Sequence, residues 1–203
     1  MTVPREKTKK VLALFDFDKT ITDRDSFLPF FFFALGYVKT LEIIILLFFP
    51  FILCIIGFFP WEIYNKMIFK LTIKGWTEEK FNALAQDFYQ QKVKKFLRKS
   101  ALDEIMQHLK NNVDVSVVSA SPEDWIKPFT DEYGINLIAT KLEIKNGFYT
   151  GNIVNSCRGA EKVNMIKEIY DIKIYSDIYA YGDSKGDKEM LAISNHPHFR
   201  SLN

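Results

Sequence analysis

Residues 11-VLALFDFDKT-20 combine an apolar run with two aspartates, and this pattern is the strongest indication of the fold. Its apolar part, residues 11–17, has lysines before it and polar turn-forming residues after it, which predicts a short buried parallel strand. Residues 113–118 have the same character and lead into Ser119. Residues 178–181 form a third such run, which leads into Gly182 and Asp183. The sequence therefore places polar side chains at the ends of three buried strands.

Helical patterns and one hairpin signal separate these strands. Helices are predicted over 77–97, 100–109 and 160–170, with Ser100 as the N-cap of the second. A strand is expected around 137–139, and Asn146-Gly147 is a strong hairpin turn signal. Alternation of this kind indicates an α/β fold, a Rossmann-like doubly wound parallel sheet with ligands bound beyond the carboxyl ends of its strands.

Residues 24–98 are mainly helical and interrupt the sheet between its first two strands. The expected organisation is a catalytic core formed by residues 1–23 and 99–203, with residues 24–98 as a helical, apolar cap. At 203 residues the chain has room for this core and a modest insertion.

Two carboxylates stand two residues apart at the end of the first strand. Asp16 and Asp18 can face the same crevice, one as a nucleophile and the other as a general acid and base. An isolated Asp-x-Asp-x-Thr pattern is also common in surface turns, so the rest of the site decides its meaning.

The remaining parts of a phosphoryl-transfer site occur at the expected places. The Ser119 hydroxyl, with backbone N–H groups at the start of the next helix, can hold phosphate oxygens. Lys162 can neutralise the phosphate and the nucleophile. Asp183 and Asp187 follow the third strand and supply oxygen ligands suited to Mg²⁺.

With these four motifs in order, the chain resembles the haloacid dehalogenase (HAD) superfamily, in its subfamily IB of phosphoserine phosphatases and phosphatidylglycerophosphatases, in which the cap is of C1 type. The resemblance implies that Asp16 forms an aspartyl-phosphate and that Asp18 serves as acid and base. It also implies Mg²⁺ held by Asp16, the Asp18 carbonyl and Asp183 with support from Asp187, and phosphoryl binding by Ser119 and Lys162.

One residue departs from the family pattern. Lys19 stands where many relatives carry Gly, a residue that would permit unusual backbone angles in this turn. The departure concerns local geometry rather than the chemistry.

Composition excludes some classes of function. A formal net charge of +2, with no basic stripe, argues against a nucleic-acid-binding protein. Two cysteines, Cys54 and Cys157, give no disulfide framework, so a reducing compartment, the cytoplasm, is expected.

The insertion contains an uncharged stretch, residues 43–61, close to the length of about 20 residues that crosses a bilayer. A single crossing would separate strand 11–17 from the other catalytic strands. Pro50, Gly57 and Pro60 also interrupt the stretch, so a kinked or re-entrant helical hairpin with residues 28–37 is expected. Lys66, Lys70 and Lys74 form one basic helical stripe, as found near anionic headgroups. The alternative is a cap that packs on itself or forms a homodimer interface.

The sequence thus predicts a Mg²⁺-dependent phosphomonoester hydrolase. It would work at the inner face of a membrane, bound peripherally or by a re-entrant element, on a lipid phosphate such as phosphatidylglycerophosphate. One alternative is a soluble phosphatase or phosphotransferase acting on phosphoserine or a similar metabolite. Another is an inactive membrane-bound scaffold, against which the intact acidic residues argue.

Overall fold

Residues 10–202, which this computed structural model describes, contain six strands and seven α-helices, with short helical turns between them. The strands are β1 (Lys10–Phe15), β2 (Asp114–Pro122), β3 (Asn136–Lys145), β4 (Phe148–Asn155), β5 (Tyr175–Gly182) and β6 (His196–Phe199). The helices are α1 (Phe27–Ile55), α2 (Trp61–Thr72), α3 (Glu78–Gln91), α4 (Lys99–Lys110), α5 (Glu123–Tyr133), α6 (Ala160–Ile169) and α7 (Lys188–Ala192).

One sheet holds all six strands in the order β4-β3-β2-β1-β5-β6. Every pair is parallel except β3 with β4, which is an antiparallel hairpin. Its turn is Asn146-Gly147, both with positive φ, as the sequence predicted. The predicted doubly wound α/β fold is confirmed.

The central strand β1 is apolar on both faces because both faces of the sheet are covered. Ala13 and Phe15 contact a core shared with α1 to α5, whereas Leu12 and Leu14 contact a second core shared with α6 and α7. This double burial accounts for the continuous apolar run.

All of α1, α2 and α3 lie within residues 24–98, between β1 and β2. Their attachment to the sheet runs through β4: the Gly75 N–H donates to the Tyr149 carbonyl at 2.8 Å, and the Tyr149 N–H donates to the Trp76 carbonyl at 2.9 Å. Helix α2 crosses β4 so closely that a Cβ on Gly151 would stand 2.7 Å from the Lys70 Cα.

The apolar segment contains a kink, and its longest helix contacts α2. Residues 28–37 and 43–55 lie along α1, whose helical angles are broken at Gly36 (φ 79°, ψ 169°), and α1 packs against α2. The Thr40 hydroxyl donates to the Phe31 carbonyl at 3.0 Å across that break. Pro50 lies inside the helix, so the predicted interruption there is wrong. Helix α1 ends before Gly57 and α2 begins after Pro60, so the predicted interruption at these two residues is confirmed.

Two helix boundaries also differ. The helix predicted over 77–97 ends at Gln91, because the chain then turns so that Leu97 pairs with Thr22 of the core. The prediction that Ser100 caps α4 is wrong. Arg98 occupies the cap position, and the Ser100 hydroxyl donates to the Leu202 carbonyl at 2.6 Å. Tertiary contacts override the local signal at both places.

Candidate active site

The candidate site lies at the carboxyl ends of β1, β2 and β5, the three neighbouring central strands. Asp16 follows β1, and its N–H donates to the Tyr181 carbonyl at 2.9 Å. Ser119 lies in β2 near its end, and Asp183 follows β5. Parallel strand order therefore brings together residues that are far apart in the sequence.

A buried lysine lies between two carboxylates at this edge. The Lys162 ammonium donates to Asp16 Oδ1 at 2.7 Å, to Asp187 Oδ1 at 2.5 Å and to the Val118 carbonyl at 3.0 Å. Burial alone would lower the pKa of Lys162, but the two carboxylates outweigh it and hold that pKa above its usual range. All three ammonium protons are thus directed at protein oxygens, and a phosphoryl group would have to share one of them.

Three acidic residues converge beside this lysine. One oxygen each from Asp16, Asp183 and Asp187 lies within 4.8 Å of the others. Burial raises the pKa of Asp16 to about 7, against the pull of Lys162, and burial also raises the pKa of Asp183. One ammonium does not offset this concentration of carboxylates, and an all-oxygen donor set fits Mg²⁺.

The three carboxylates differ in the hydrogen bonds that they accept. Asp187 Oδ2 accepts from the N–H groups of Asp183 (3.3 Å) and Ser184 (3.0 Å), while its Oδ1 accepts from Lys162. Although burial opposes it, Lys162 lowers the pKa of Asp187. No hydrogen bond involves the Asp183 carboxylate within residues 10–202. Asp187 therefore orders the loop, and Asp183 is the carboxylate most available to a cation.

The Asp18 carboxylate lies apart from this acidic group. Its Oδ1 accepts from the Ser26 N–H at 2.7 Å, and its Oδ2 accepts from the Ser121 hydroxyl at 2.6 Å. Burial raises the pKa of Asp18 to about 6, with a further contribution from Asp25. Trp125 Nε1 donates to the Ser26 hydroxyl at 3.2 Å, which ties the first residue before α1 to α5.

The turn that follows Asp18 uses the left-handed conformation that Gly would favour. Lys19 has φ 63°, which costs a non-glycine residue roughly 1–2 kcal/mol. The Lys19 N–H donates to the Thr22 hydroxyl at 3.1 Å, a contact that stabilises the turn. The local geometry is therefore kept despite the substitution.

Smaller polar residues complete the site. The buried Ser119 Oγ accepts from the Ser121 N–H at 3.1 Å, so the Ser119 hydroxyl proton is available to a ligand. The Thr20 hydroxyl donates to Asp16 Oδ2 at 3.4 Å. Sequence reasoning missed Thr20, Ser121 and Ser26. Thr20 closes the Asp-x-Asp-x-Thr pattern and Ser121 follows Ser119 by two residues, whereas nothing in the sequence marks Ser26.

A cavity of about 920 Å³ opens on this site. Its inner wall holds the catalytic candidates Asp16, Asp18, Ser119, Lys162, Asp183 and Asp187. Its outer wall is formed largely by apolar side chains of α1 and α2, among them Phe31, Leu35, Leu47 and Ile68. One cavity therefore contains both the catalytic candidates and a long apolar surface.

This fold and site define an α/β enzyme whose polar centre is built around a buried Asp–Lys–Asp cluster. The chain belongs to the haloacid dehalogenase-like hydrolase family, whose model matches residues 13–192. The predicted family is confirmed. A HAD-type phosphatase is the enzyme class that the comparisons support.

Similar proteins occur in Mycobacterium tuberculosis and Caulobacter vibrioides. The chain is 31% identical over 202 residues to a probable phosphatase of Mycobacterium tuberculosis (strain ATCC 25618 / H37Rv), covering 96% of this chain and 69% of that protein. It is 28% identical to the protein CicA of Caulobacter vibrioides, covering 94% of this chain and 86% of the relative.

Solved structures share the fold. A protein of unknown function from Bordetella pertussis Tohama I superposes with a TM-score of 0.79 at 22% identity, covering 92% of this chain and 88% of that one. A substrate-bound phosphoserine phosphatase superposes with a TM-score of 0.63 at 21% identity, covering 93% and 84%. Identities this low establish the architecture alone.

Proposed function

We propose that the chain hydrolyses a phosphomonoester through an aspartyl-phosphate on Asp16. The observation that carries this proposal is the buried contact of Lys162 with Asp16 at 2.7 Å. Asp183 lies beside this pair, and all three residues line the cavity. Burial raises the pKa of Asp16, and the ammonium acts against that rise and favours the ionised carboxylate. An ionised carboxylate at the inner wall of a cavity is a competent nucleophile.

In the first half-reaction an Asp16 oxygen attacks phosphorus, and the bond from phosphorus to the leaving oxygen breaks. Asp18 gives its proton to that oxygen, so an alcohol departs. In the second half-reaction Asp18 takes a proton from water as the water oxygen attacks phosphorus. The Asp16–phosphorus bond then breaks and inorganic phosphate is released. The Ser119 hydroxyl is placed to donate to an oxygen of the transferring group, which Lys162 would also contact.

The acidic group fits a resident Mg²⁺, held by Asp16, Asp183 and the Asp18 carbonyl, with Asp187 in support. When bound, the ion would offset the charge that these carboxylates present to an anionic substrate. Lys162 would keep Asp16 and Asp187 apart and oriented, as its two short contacts indicate.

For the substrate we propose a lipid phosphate, such as phosphatidylglycerophosphate. The apolar outer wall of the cavity supports this choice, since a small polar metabolite would gain nothing from it. The alternative is a soluble phosphatase or phosphotransferase of phosphoserine type, because some neighbours in fold are phosphoserine phosphatases. An inactive scaffold is disfavoured, since it would retain closely packed like charges without benefit.

We further propose that residues 24–98 act as a cap over the core and attach the enzyme to the inner face of a membrane, peripherally or as a re-entrant element. Helix α1 has a stretch of mean hydropathy 2.4, of which 22% is buried. Ile45, Phe49 and Phe58 are each at least 70% exposed. Lys66 and Lys70 of α2, and Lys74 just beyond the end of that helix, are also exposed, as anionic headgroups would require. A homodimer through the same surface is the competing arrangement.

A phosphate-release screen tests this function. The purified full chain, in detergent with Mg²⁺, is offered lipid phosphates, phosphoserine and an aryl phosphate. We expect release from the lipid and aryl phosphates, with the lipid preferred in kcat/KM. A preference for phosphoserine would support the soluble alternative, and no release from any phosphomonoester would refute the proposal.

A further inference from the structure

Two matching helical stripes line the outer part of the cavity. On α1 they are Thr40, Ile43, Ile44, Leu47 and Phe51, and on α2 they are Trp61, Tyr64, Asn65, Ile68 and Thr72. Each set follows the spacing i, i+3, i+4, i+7, i+11, which is one face of a helix. The two helices therefore enclose a groove between them.

The groove has a polar end near the catalytic centre. Thr40 contacts the Phe31 carbonyl, and Phe31 packs near Trp125 of α5 (ring centroids 6.1 Å apart). Thr72 closes α2 just before Trp76, where the chain joins β4. Both threonines thus lie where the helices meet the core, and one cavity includes both of them and Asp16.

The far end of the groove is aromatic. The Phe51 ring lies 5.9 Å from the rings of Trp61 and Tyr64, which lie 5.8 Å from each other. Between the two ends, the lining side chains are aliphatic except for Asn65, and none is charged. From Thr40 to Phe51 the groove extends about 16 Å, at 1.5 Å per helical residue.

We propose that this groove is a binding site for one hydrocarbon chain of the substrate, whose phosphate lies at Asp16. The proposal rests on the proposed function and deepens it, because it states where the apolar part of the substrate lies. Three features support it: continuity with the catalytic centre, an uncharged lining, and a change from threonines to aromatic rings along the groove. The aromatic cluster sets a limit to the chain length that the groove accepts.

Calorimetric titration of the purified chain with n-alkylphosphonates tests the groove without requiring turnover. The series runs from butyl to hexadecyl, each below its critical micelle concentration. We expect affinity to rise about fourfold per methylene, which corresponds to ~0.8 kcal/mol. The rise should stop once the chain fills the groove. Affinity that does not depend on chain length would overturn the proposal.

Paired variants at neighbouring positions locate the binding site. Leu47→Trp fills the groove, and Ile44→Trp does so from a more exposed lining position in case the first variant fails to fold. Leu46→Trp is the matched control, since Leu46 faces away from the cavity and is exposed. Filling the groove should reduce the alkyl-chain length at which phosphonate affinity stops rising. The control substitution should leave that length unchanged. If Leu46→Trp and the groove variants change phosphonate affinity equally, the alkyl chain binds outside the groove.

Turnover separates this proposal from the proposed function. An aryl phosphate too short to reach the groove should be hydrolysed equally by wild type and Leu46→Trp. If phosphonate affinity does not depend on alkyl-chain length while aryl phosphatase activity is intact, the proposed groove is refuted and the proposed function is not. Chain-dependent binding without phosphatase activity on any substrate would refute the proposed function and leave the groove standing.

Discussion

The Ser121 hydroxyl donates to Asp18 Oδ2 at 2.6 Å, and this contact distinguishes the two oxygens of that carboxylate. A hydroxyl can reverse and accept a hydrogen bond, whereas the Ser26 N–H on Oδ1 can only donate. The proton that Asp18 exchanges in the proposed reaction is therefore expected on Oδ2. The Ser121 hydroxyl would then reverse and accept a hydrogen bond from it.

Removing that hydroxyl should shift the pH dependence of the reaction. Burial raises the pKa of Asp18 to about 6 and the Ser121 hydrogen bond lowers it, so Ser121→Ala should raise that pKa further. Because protonated Asp18 is the acid for the leaving alkoxide, the basic limb of the kcat/KM profile on an alkyl phosphate should move to higher pH. Ser121→Thr retains a hydroxyl and should keep the wild-type profile. An unmoved basic limb in Ser121→Ala would contradict this assignment.

Asp183 should dominate cation binding. Its carboxylate has no hydrogen bond within the described chain, whereas Asp187 is held by Lys162 and Ser184. Mutation of groups that only support a metal site typically weakens metal binding 10–100-fold, so Asp183→Asn should weaken Mg²⁺ binding by at least about tenfold in calorimetry. Asp103→Asn, on the exposed face of α4, is the control. Unchanged Mg²⁺ affinity in Asp183→Asn would exclude it as a ligand.

The packing of α2 on β4 gives a prediction about stability. Gly151 and Gly147 have nearly equal φ, 81° and 79°, but only at Gly151 would a Cβ meet another backbone, that of Lys70. Gly147→Ala should cost about 1 kcal/mol of unfolding free energy from its backbone conformation. Gly151→Ala should cost a further ~1–3 kcal/mol because α2 must shift. Equal costs in urea unfolding would show that α2 does not lie against β4.

Membrane attachment can be measured through tryptophan fluorescence. Trp61 lies at the turn between α1 and α2 and is 39% exposed, while Trp76 and Trp125 are buried in the core. Brominated lipids in anionic vesicles should quench wild-type fluorescence, and Trp61→Phe should abolish most of the quenching. If quenching is absent and the chain sediments as a dimer, the apolar surface is an interface between copies.

The arrangement of the core could be predicted because apolar runs and polar strand ends coincide in the sequence. The run before Asp16 is covered on both faces of the sheet, and parallel order alone brings Ser119 and Asp183 beside it. The Asn146-Gly147 turn needed only local information, since both residues adopt positive φ. Strand positions and the candidate site therefore followed from short-range patterns.

What could not be predicted depends on contacts between distant residues. The start of α4 shifts because Ser100 contacts Leu202, and the path of α1 depends on the break at Gly36, not on Pro50. The contact of Ser26 with Asp18 arises from the way α1 leaves the core. Periodicity carries no information about such contacts.

The proposed reaction requires a covalent aspartyl-phosphate on Asp16, and acid quenching during turnover would trap it. Peptide mass spectrometry of the quenched wild-type enzyme should find a phosphoryl group on the Asp16 side chain. Asp16→Asn should fold, lack that group and lose turnover, since its amide cannot form the acyl-phosphate. A phosphoryl group on another residue, or turnover by Asp16→Asn at the wild-type rate with Mg²⁺ present, would exclude Asp16 as the nucleophile.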